Sequence, residues 1–185
     1  MNSVDPIRST KDISNFVDYL RGKNERDYIL ALTGFYSGYR ISDILNLKVK
    51  DFHNRDYFYF REKKTKKQTK LLINPILKKA ANEYIEQNDL EDNDYIFKSQ
   101  KGYNQPISRQ RAYKVLKDAA RAVGLQGNFG THSLRKTMGY HYYQQTKDVV
   151  TLKMIFNHSS VDVTLIYIGI TQDVMNDKLK GFKLY

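Results

Sequence analysis

The sequence predicts a mostly helical α+β domain with a small antiparallel sheet, of about three strands, inserted after the first helices. Three observations carry this prediction. Most segments place apolar residues at helical spacing. One region, "DYFYFRE" followed by "TKLLINP", is instead rich in strand formers and alternates aromatic with polar residues. At 185 residues and 41% hydrophobic content the chain can bury one substantial core, and its length gives no reason to expect a second. Residues 1–185 are therefore expected to form a single domain.

Each element has its own signal. "STKDISNFVDYLRG" reads as a helix capped by Ser9 or Thr10, with Ile13, Phe16, Val17 and Leu20 on one face. "ERDYILALTGFYSG" is a more buried helix with Tyr28, Leu32 and Phe35 near one stripe, ended by Gly38. "ISDILNL" is a short helix started by Ser42 or just before it. Two strands follow, joined by the basic hairpin connection "KKTKKQ", and the second stops at Pro75. "ILKKAANEYIEQ" is a helix with Ile76, Ala80 and Tyr84 in line, and "DYIFK" is a short third strand. "SRQRAYKVLKDAARAVGL" is a long helix with Val115, Leu116, Ala119 and Val123 inward. "THSLRKTMGYHYYQQ" is another, with Thr131 or Ser133 near its start. "DVVTLKMIFN", "SVDVTLIYIG" and "QDVMNDKLKG" complete a helical C-terminal half.

Composition narrows the function. There are 31 Lys and Arg against 20 Asp and Glu, a net charge of +11. Much of this surplus is clustered, which points to a polyanion partner, most often nucleic acid. The chain has no Cys, so disulfides, thiolate nucleophiles and Cys-held zinc are excluded. No apolar run approaches the roughly 20 residues of a membrane span. The N-terminus "MNSVDPIRSTKDISNF" carries no basic-then-apolar secretion signal. These features predict a cytoplasmic protein with no membrane partner.

Four constellations stand out. In "HSLR", His132 and Arg135 lie three apart and share a helix face, so both can donate to one anion. In "GYRISDILNL", Arg40 follows a helix-ending Gly, and Asp43 three residues on is placed to orient its guanidinium. Arg61, Lys63, Lys64, Lys66, Lys67 and Lys70 crowd the hairpin, where a tip could enter a DNA groove and contact phosphates. In "NHSSVDVTLIY", His158 precedes Tyr167 in an otherwise apolar run. Singly, each reads equally well as solvated surface, ion pair or core. The chain has 15 Tyr, so Tyr167 alone is unremarked. His53 and His141 have no evident partners and are expected to be structural.

Taken in order, these stretches resemble the catalytic domain of the tyrosine recombinases, or phage-type integrases. "TGFYSGYRISDILNLKVKD" is similar to the family's first box, "THSLRKT" to its second and "FNHSSVDVTLIYIG" to its last. The resemblance runs from about Ile13 to beyond Tyr167. It implies that the fold is the family's helical bundle with its small inserted sheet. It also implies a catalytic set of Arg40, Lys64, His132, Arg135, His158 and Tyr167, with Asp43 in support.

In that reading the Tyr167 phenol attacks a DNA phosphodiester, forms a 3′-phosphotyrosyl bond and releases a 5′-hydroxyl. A phenol of pKa roughly 10 is a poor nucleophile while protonated, so it needs a base or a positive field. His132 is the candidate base. Arg40 and Arg135 would hold the non-bridging oxygens, His158 would add a hydrogen bond, and Lys64 would protonate the leaving oxygen. No cofactor, ATP or metal is expected, and no metal-ligating cluster is visible in the sequence. "ISRQRAYK" resembles the start of the family's major-groove helix. Arg109 is matched to a guanine edge, Gln110 to an adenine and Lys114 to phosphate, with Lys63, Lys66 and Lys67 as further DNA contacts.

The implied partner is double-stranded DNA. Most family members carry an N-terminal clamp domain, and here the catalytic boxes begin almost at Met1, so the clamp is expected to be absent from this chain: either the chain is a fragment, or the natural protein lacks the clamp and an accessory DNA-binding protein is a further expected partner. The tail "TQDVMNDKLKGFKLY", with Val174, Leu179, Phe182 and Leu184, is expected to dock on a neighbouring protomer, the alternative being that it packs on its own domain. The implied function is DNA integration or excision for a mobile element. The alternative is a DNA-binding regulator that kept the fold without the chemistry.

Overall fold

The computed structural model describes residues 4–61 and 68–183. Ser9 caps helix α1 (Thr10–Lys23) by accepting from the Asp12 N–H, so of the two hydroxyls the sequence offers, the first is the cap. Asn24 both ends α1 and caps α2 (Glu25–Ser37), accepting from the Asp27 N–H. Gly38 closes α2 in the left-handed conformation at φ 63°, a geometry glycine adopts without strain. The chain then turns through Tyr39 and Arg40 into the four-residue α3 (Ile41–Ile44).

Strands β1 (Tyr57–Arg61) and β2 (Gln68–Leu72) pair antiparallel, with Tyr57 opposite Leu72 and Arg61 opposite Gln68. Among the described residues the sheet has these two strands, not three. The stretch expected as a third strand makes only isolated bridges, Tyr95 with Lys48 and Lys98 with Pro106. Its side chains give the reason. Ile96 and Phe97 are neighbours and both fully buried. An extended strand sends neighbours to opposite faces. Here residues 96 and 97 turn between the two bridges instead, and the turn carries both side chains into the core.

Asn74 caps α4 (Pro75–Gln87), with Pro75 in the first helical turn, where its missing N–H is harmless. The buried stripe of α4 is Leu77, Ala81, Tyr84 and Ile85. Ile76, expected on that stripe, is 59% exposed. Both registers have helical spacing, and packing selects the second. Five helices complete the described chain: α5 (Arg109–Ala122), α6 (Thr131–Thr146), α7 (Val149–Phe156), α8 (Val161–Ile168) and α9 (Ile170–Gly181). None of the described helices is long and apolar enough to cross a membrane.

Helix α6 is gripped from two sides. A methyl group on Gly34 of α2 would lie 2.5 Å from Leu134, and one on Gly139 would lie 2.7 Å from Ile168 and 2.8 Å from Phe156. Only glycine lets α2 approach α6 on one side and α7 and α8 approach it on the other. The N-terminal segment is tied to the same helix. The Ile7 N–H donates to Thr137 Oγ1 at 2.8 Å, and the Ile7 carbonyl meets His141 Nε2 at 2.9 Å. His141 is thus a tether for the N-terminal segment, while His53 faces Asp92 at 3.8 Å. Chain segments more than a hundred residues apart therefore converge on α6, whose first turn carries His132 and Arg135.

Candidate active site

The start of α6 is set by Ser133, whose hydroxyl accepts from the Gly130 N–H at 3.1 Å. This places His132 and Arg135 one turn apart on the same side, but at different depths. His132 is exposed, whereas Arg135 is only 4% exposed. Two of the Arg135 N–H groups are committed to main-chain carbonyls. Nη1 donates to Gly38 O at 2.5 Å and Nη2 to Phe156 O at 2.8 Å. Its guanidinium carbon lies 4.0 Å from the centroid of the Phe156 ring. Arg135 thus ties the end of α2 to the end of α7, an ordering role that sequence spacing does not reveal. Burial lowers its pKa to about 10, so it stays charged at neutral pH.

Tyr167 arrives from α8. Its hydroxyl lies 3.3 Å from His132 Nδ1, and its ring packs edge-on against Phe156 and His158, with centroids at 5.7 and 5.1 Å. The Arg135 guanidinium is 5.9 Å from the ring centroid and Lys136 Nζ is 5.2 Å from it. Burial pushes the phenol pKa up, while the charges of Arg135 and Arg40 pull it down. The balance leaves it protonated, with a basic nitrogen in contact and two fixed positive charges nearby. Burial, then Arg135, Arg40, Arg109 and Lys136, hold His132 below the usual histidine range. A neutral imidazole beside a protonated phenol is the arrangement a proton transfer needs. Of the apolar residues flanking Tyr167 on α8, Ile168 is fully buried, but Ile166 is 65% exposed.

Arg40 is exposed at the turn into α3 and contributes charge to His132, His158, Arg135 and Tyr167. Its expected partner sits differently. Among the described residues no ion pair joins the Asp43 carboxylate to the Arg40 guanidinium. The Asp43 N–H instead donates to the Arg40 carbonyl at 2.8 Å, and the Asp43 charge acts on Arg135 and Tyr39. Burial, reinforced by Asp43, pushes the Tyr39 phenol far up.

His158 lies in the turn between α7 and α8, below its usual pKa through burial and the charges of Arg135 and Arg40. Its Nδ1 is 3.0 Å from Thr164 Oγ1. Asn157 just before it adopts φ 49°, closing α7 in the left-handed conformation that asparagine tolerates.

The geometry therefore gathers Arg40, His132, Arg135, His158 and Tyr167. Lys63, Lys64, Lys66 and Lys67 lie outside the described residues. Arg109 is exposed at the start of α5, capped by Ser108, and close enough for its charge to reach His132. Gln110 and Lys114 are exposed, and Lys114 pairs with Asp118 at 3.0 Å. Lys70 stacks over the Tyr57 ring at 3.7 Å. Reasoning from sequence missed Lys136, Phe156 and Thr164. The only signal for Thr164 is a lone hydroxyl one turn before Tyr167 in an apolar run. Among the described residues no group of His, Asp or Glu gathers to hold a metal ion.

Residues 9–173 match the model of the phage integrase family. The chain is 48% identical to the probable integrase/recombinase YoeC of Bacillus subtilis over 182 residues, covering 98% of each. It is 29% identical to the tyrosine recombinase XerD of Corynebacterium glutamicum, covering 84% of this chain and 52% of that one. It spans about half the length of that relative. In fold it is similar to the XerH site-specific recombinase, solved as a post-cleavage complex with its palindromic difH substrate. The TM-score is 0.76 at 18% identity, over 96% of this chain and 53% of that one. With the family model covering most of the chain and a relative matched end to end, this chain belongs to the phage integrase family of tyrosine recombinases.

Proposed function

We infer that this chain cuts and rejoins DNA strands through a covalent 3′-phosphotyrosyl intermediate, in the service of integrating or excising a mobile element. The observation that carries this reading is the contact between the Tyr167 hydroxyl and His132 Nδ1, set over the Arg135 guanidinium. The family relatives are recombinases and integrases, and XerH is solved on DNA.

The steps follow from the residues. A phosphodiester bound between Arg40 and Arg135 presents its non-bridging oxygens to two charges that persist at every working pH. Tyr167 Oη attacks phosphorus, and its proton passes to His132. The 5′ oxygen leaves with a proton from the hairpin, where Lys64 is the residue in the matching position. The new P–O bond keeps the energy of the broken one. A 5′-hydroxyl from another strand can therefore reverse the step and free the phenol. His158 adds a hydrogen bond to the phosphate, and Arg109 and Gln110 at the start of α5 read base edges. The exposed Val174, Leu179 and Phe182 of the C-terminal segment supply a contact between protomers assembled on DNA.

The test is capture. The protein is incubated with DNA fragments from around its own gene, and fragments that stay attached through denaturant are recovered. The reading predicts adducts from the wild type and none from Tyr167→Phe, with DNA binding kept in both. Binding without adduct in either protein would favour a DNA-binding regulator built on the same fold.

A further inference from the structure

Thr164 is fully buried, yet it is polar and sits one turn before Tyr167. Its hydroxyl has two neighbours, the Ser160 carbonyl at 3.2 Å and His158 Nδ1 at 3.0 Å. A hydroxyl carries one proton, so it can donate to only one of them at a time. When it donates to Ser160, Nδ1 must carry the histidine proton and Nε2 is bare. When it donates to Nδ1, the neutral ring carries its proton on Nε2. The switch gives up the contact with the Ser160 carbonyl, the longer of the two, for the shorter one with His158.

We propose that Thr164 is a positioning residue for His158, whose hydroxyl holds Nδ1 so that the neutral imidazole presents an Nε2–H to the scissile phosphate. The inference rests on the recombinase reading of the site. His158 could also donate from Nε2 as an imidazolium, but the groups facing it oppose that charge. Arg135 comes from α6 and Arg40 from the turn before α3, while the rings of Phe156 and Tyr167 close two sides without offering a counter-charge. A hydroxyl that can give as well as accept solves the problem without adding a proton. Among side chains of this size only Thr and Ser can do both, and Thr adds a methyl group to a fully buried position.

The test compares Thr164→Val and Thr164→Ser on the DNA site recovered by adduct capture, following adduct formation over pH 5–8. Val matches Thr in shape and lacks the hydroxyl, and thermal denaturation checks that each variant folds. Val should slow adduct formation roughly 10- to 100-fold, the range seen when a group orienting a histidine ligand is removed. DNA binding should be unchanged, and Ser should restore most of the rate. The ratio of Val to wild-type rates, in which the shared dependence on His132 cancels, should rise as pH falls. Without the hydroxyl, His158 donates well only when protonated. The double variant His158→Ala, Thr164→Val should be no slower than His158→Ala alone. A wild-type rate in Thr164→Val, a Ser variant as slow as Val, or a ratio flat with pH would overturn the proposal while leaving the recombinase reading intact. A wild-type protein that forms no adduct at any pH would remove that reading, and the role of Thr164 with it.

Discussion

His132 Nδ1 stands 3.3 Å from the Tyr167 hydroxyl, across 35 residues of sequence and two helices that meet only because Gly139 lets them. That contact gives the phenol a place to send its proton. Burial, with the surrounding cations, keeps the imidazole neutral enough to take it.

The pH dependence follows from this. His132 lies below the ordinary histidine value of about 6.5, so it remains a proton acceptor under mildly acidic conditions. The acid limb of kcat/KM for adduct formation, which reports the free enzyme, is predicted to fall with a midpoint below about 6.5. It should change in His132→Gln. A limb at or above the ordinary value, unmoved by that substitution, would take His132 out of the role of base.

Stability carries the same signature. His132 and His158 have lowered pKa values when folded, so the unfolded chain binds protons at a higher pH than the folded one. Their contribution is intact above about pH 6.5 and is lost as pH falls from there through the folded values. Melting temperatures of the wild type and of the double variant His132→Gln, His158→Gln should diverge in slope between pH 7 and 5, the wild type falling more steeply. Parallel curves would show that neither histidine is depressed by the fold.

The two arginines should separate by their effect on folding. Arg40 is exposed, so Arg40→Ala should cut adduct formation by about 10²-fold or more, as loss of a charge-stabilising donor does, without moving the melting temperature. Arg135 also holds the carbonyls of Gly38 and Phe156. Arg135→Ala should lose both activity and stability, at about 1–3 kcal/mol for each carbonyl left buried and unpaired. Equal melting temperatures in the two variants would contradict the ordering role of Arg135.

Gly139 links packing to chemistry. An added methyl meets Phe156 and Ile168 at under 3 Å. Phe156 lies under Arg135 and against Tyr167. Gly139→Ala should therefore destabilise by about 1–3 kcal/mol, the usual cost of overpacking, and slow cleavage as well. Denaturant unfolding and adduct kinetics measure the two effects, and an unchanged stability would mean that α6, α7 and α8 are not so closely packed.

Much of this was legible in the sequence because helical periodicity and caps are local. Ser9 began a helix and Gly38 ended one where their chemistry says they should. The failures have a common physical cause. Ile76 and Leu77 fit helical stripes equally well, and only the partner surface chooses between them. Ile96 and Phe97 have strand propensity but are drawn inward together. The positions of Arg40, His132, Arg135, His158 and Tyr167 in the chain suggested one site through their order. Their different depths, and the tie from Arg135 to two main-chain carbonyls, come from helix packing that no spacing rule encodes. Asp43 shows the same limit, since three residues' separation placed it near Arg40 without saying which guanidinium its charge would serve.

On the proposed mechanism, one phenol among 15 becomes bonded to DNA. The most direct measurement is to digest the denaturant-resistant adduct with nuclease and protease and to locate the nucleotide remnant by mass spectrometry. The account predicts a phosphotyrosyl remnant on the peptide containing Tyr167, and no adduct at all from Tyr167→Phe. A remnant on any other tyrosine, or an adduct that persists in the Phe variant, would contradict it.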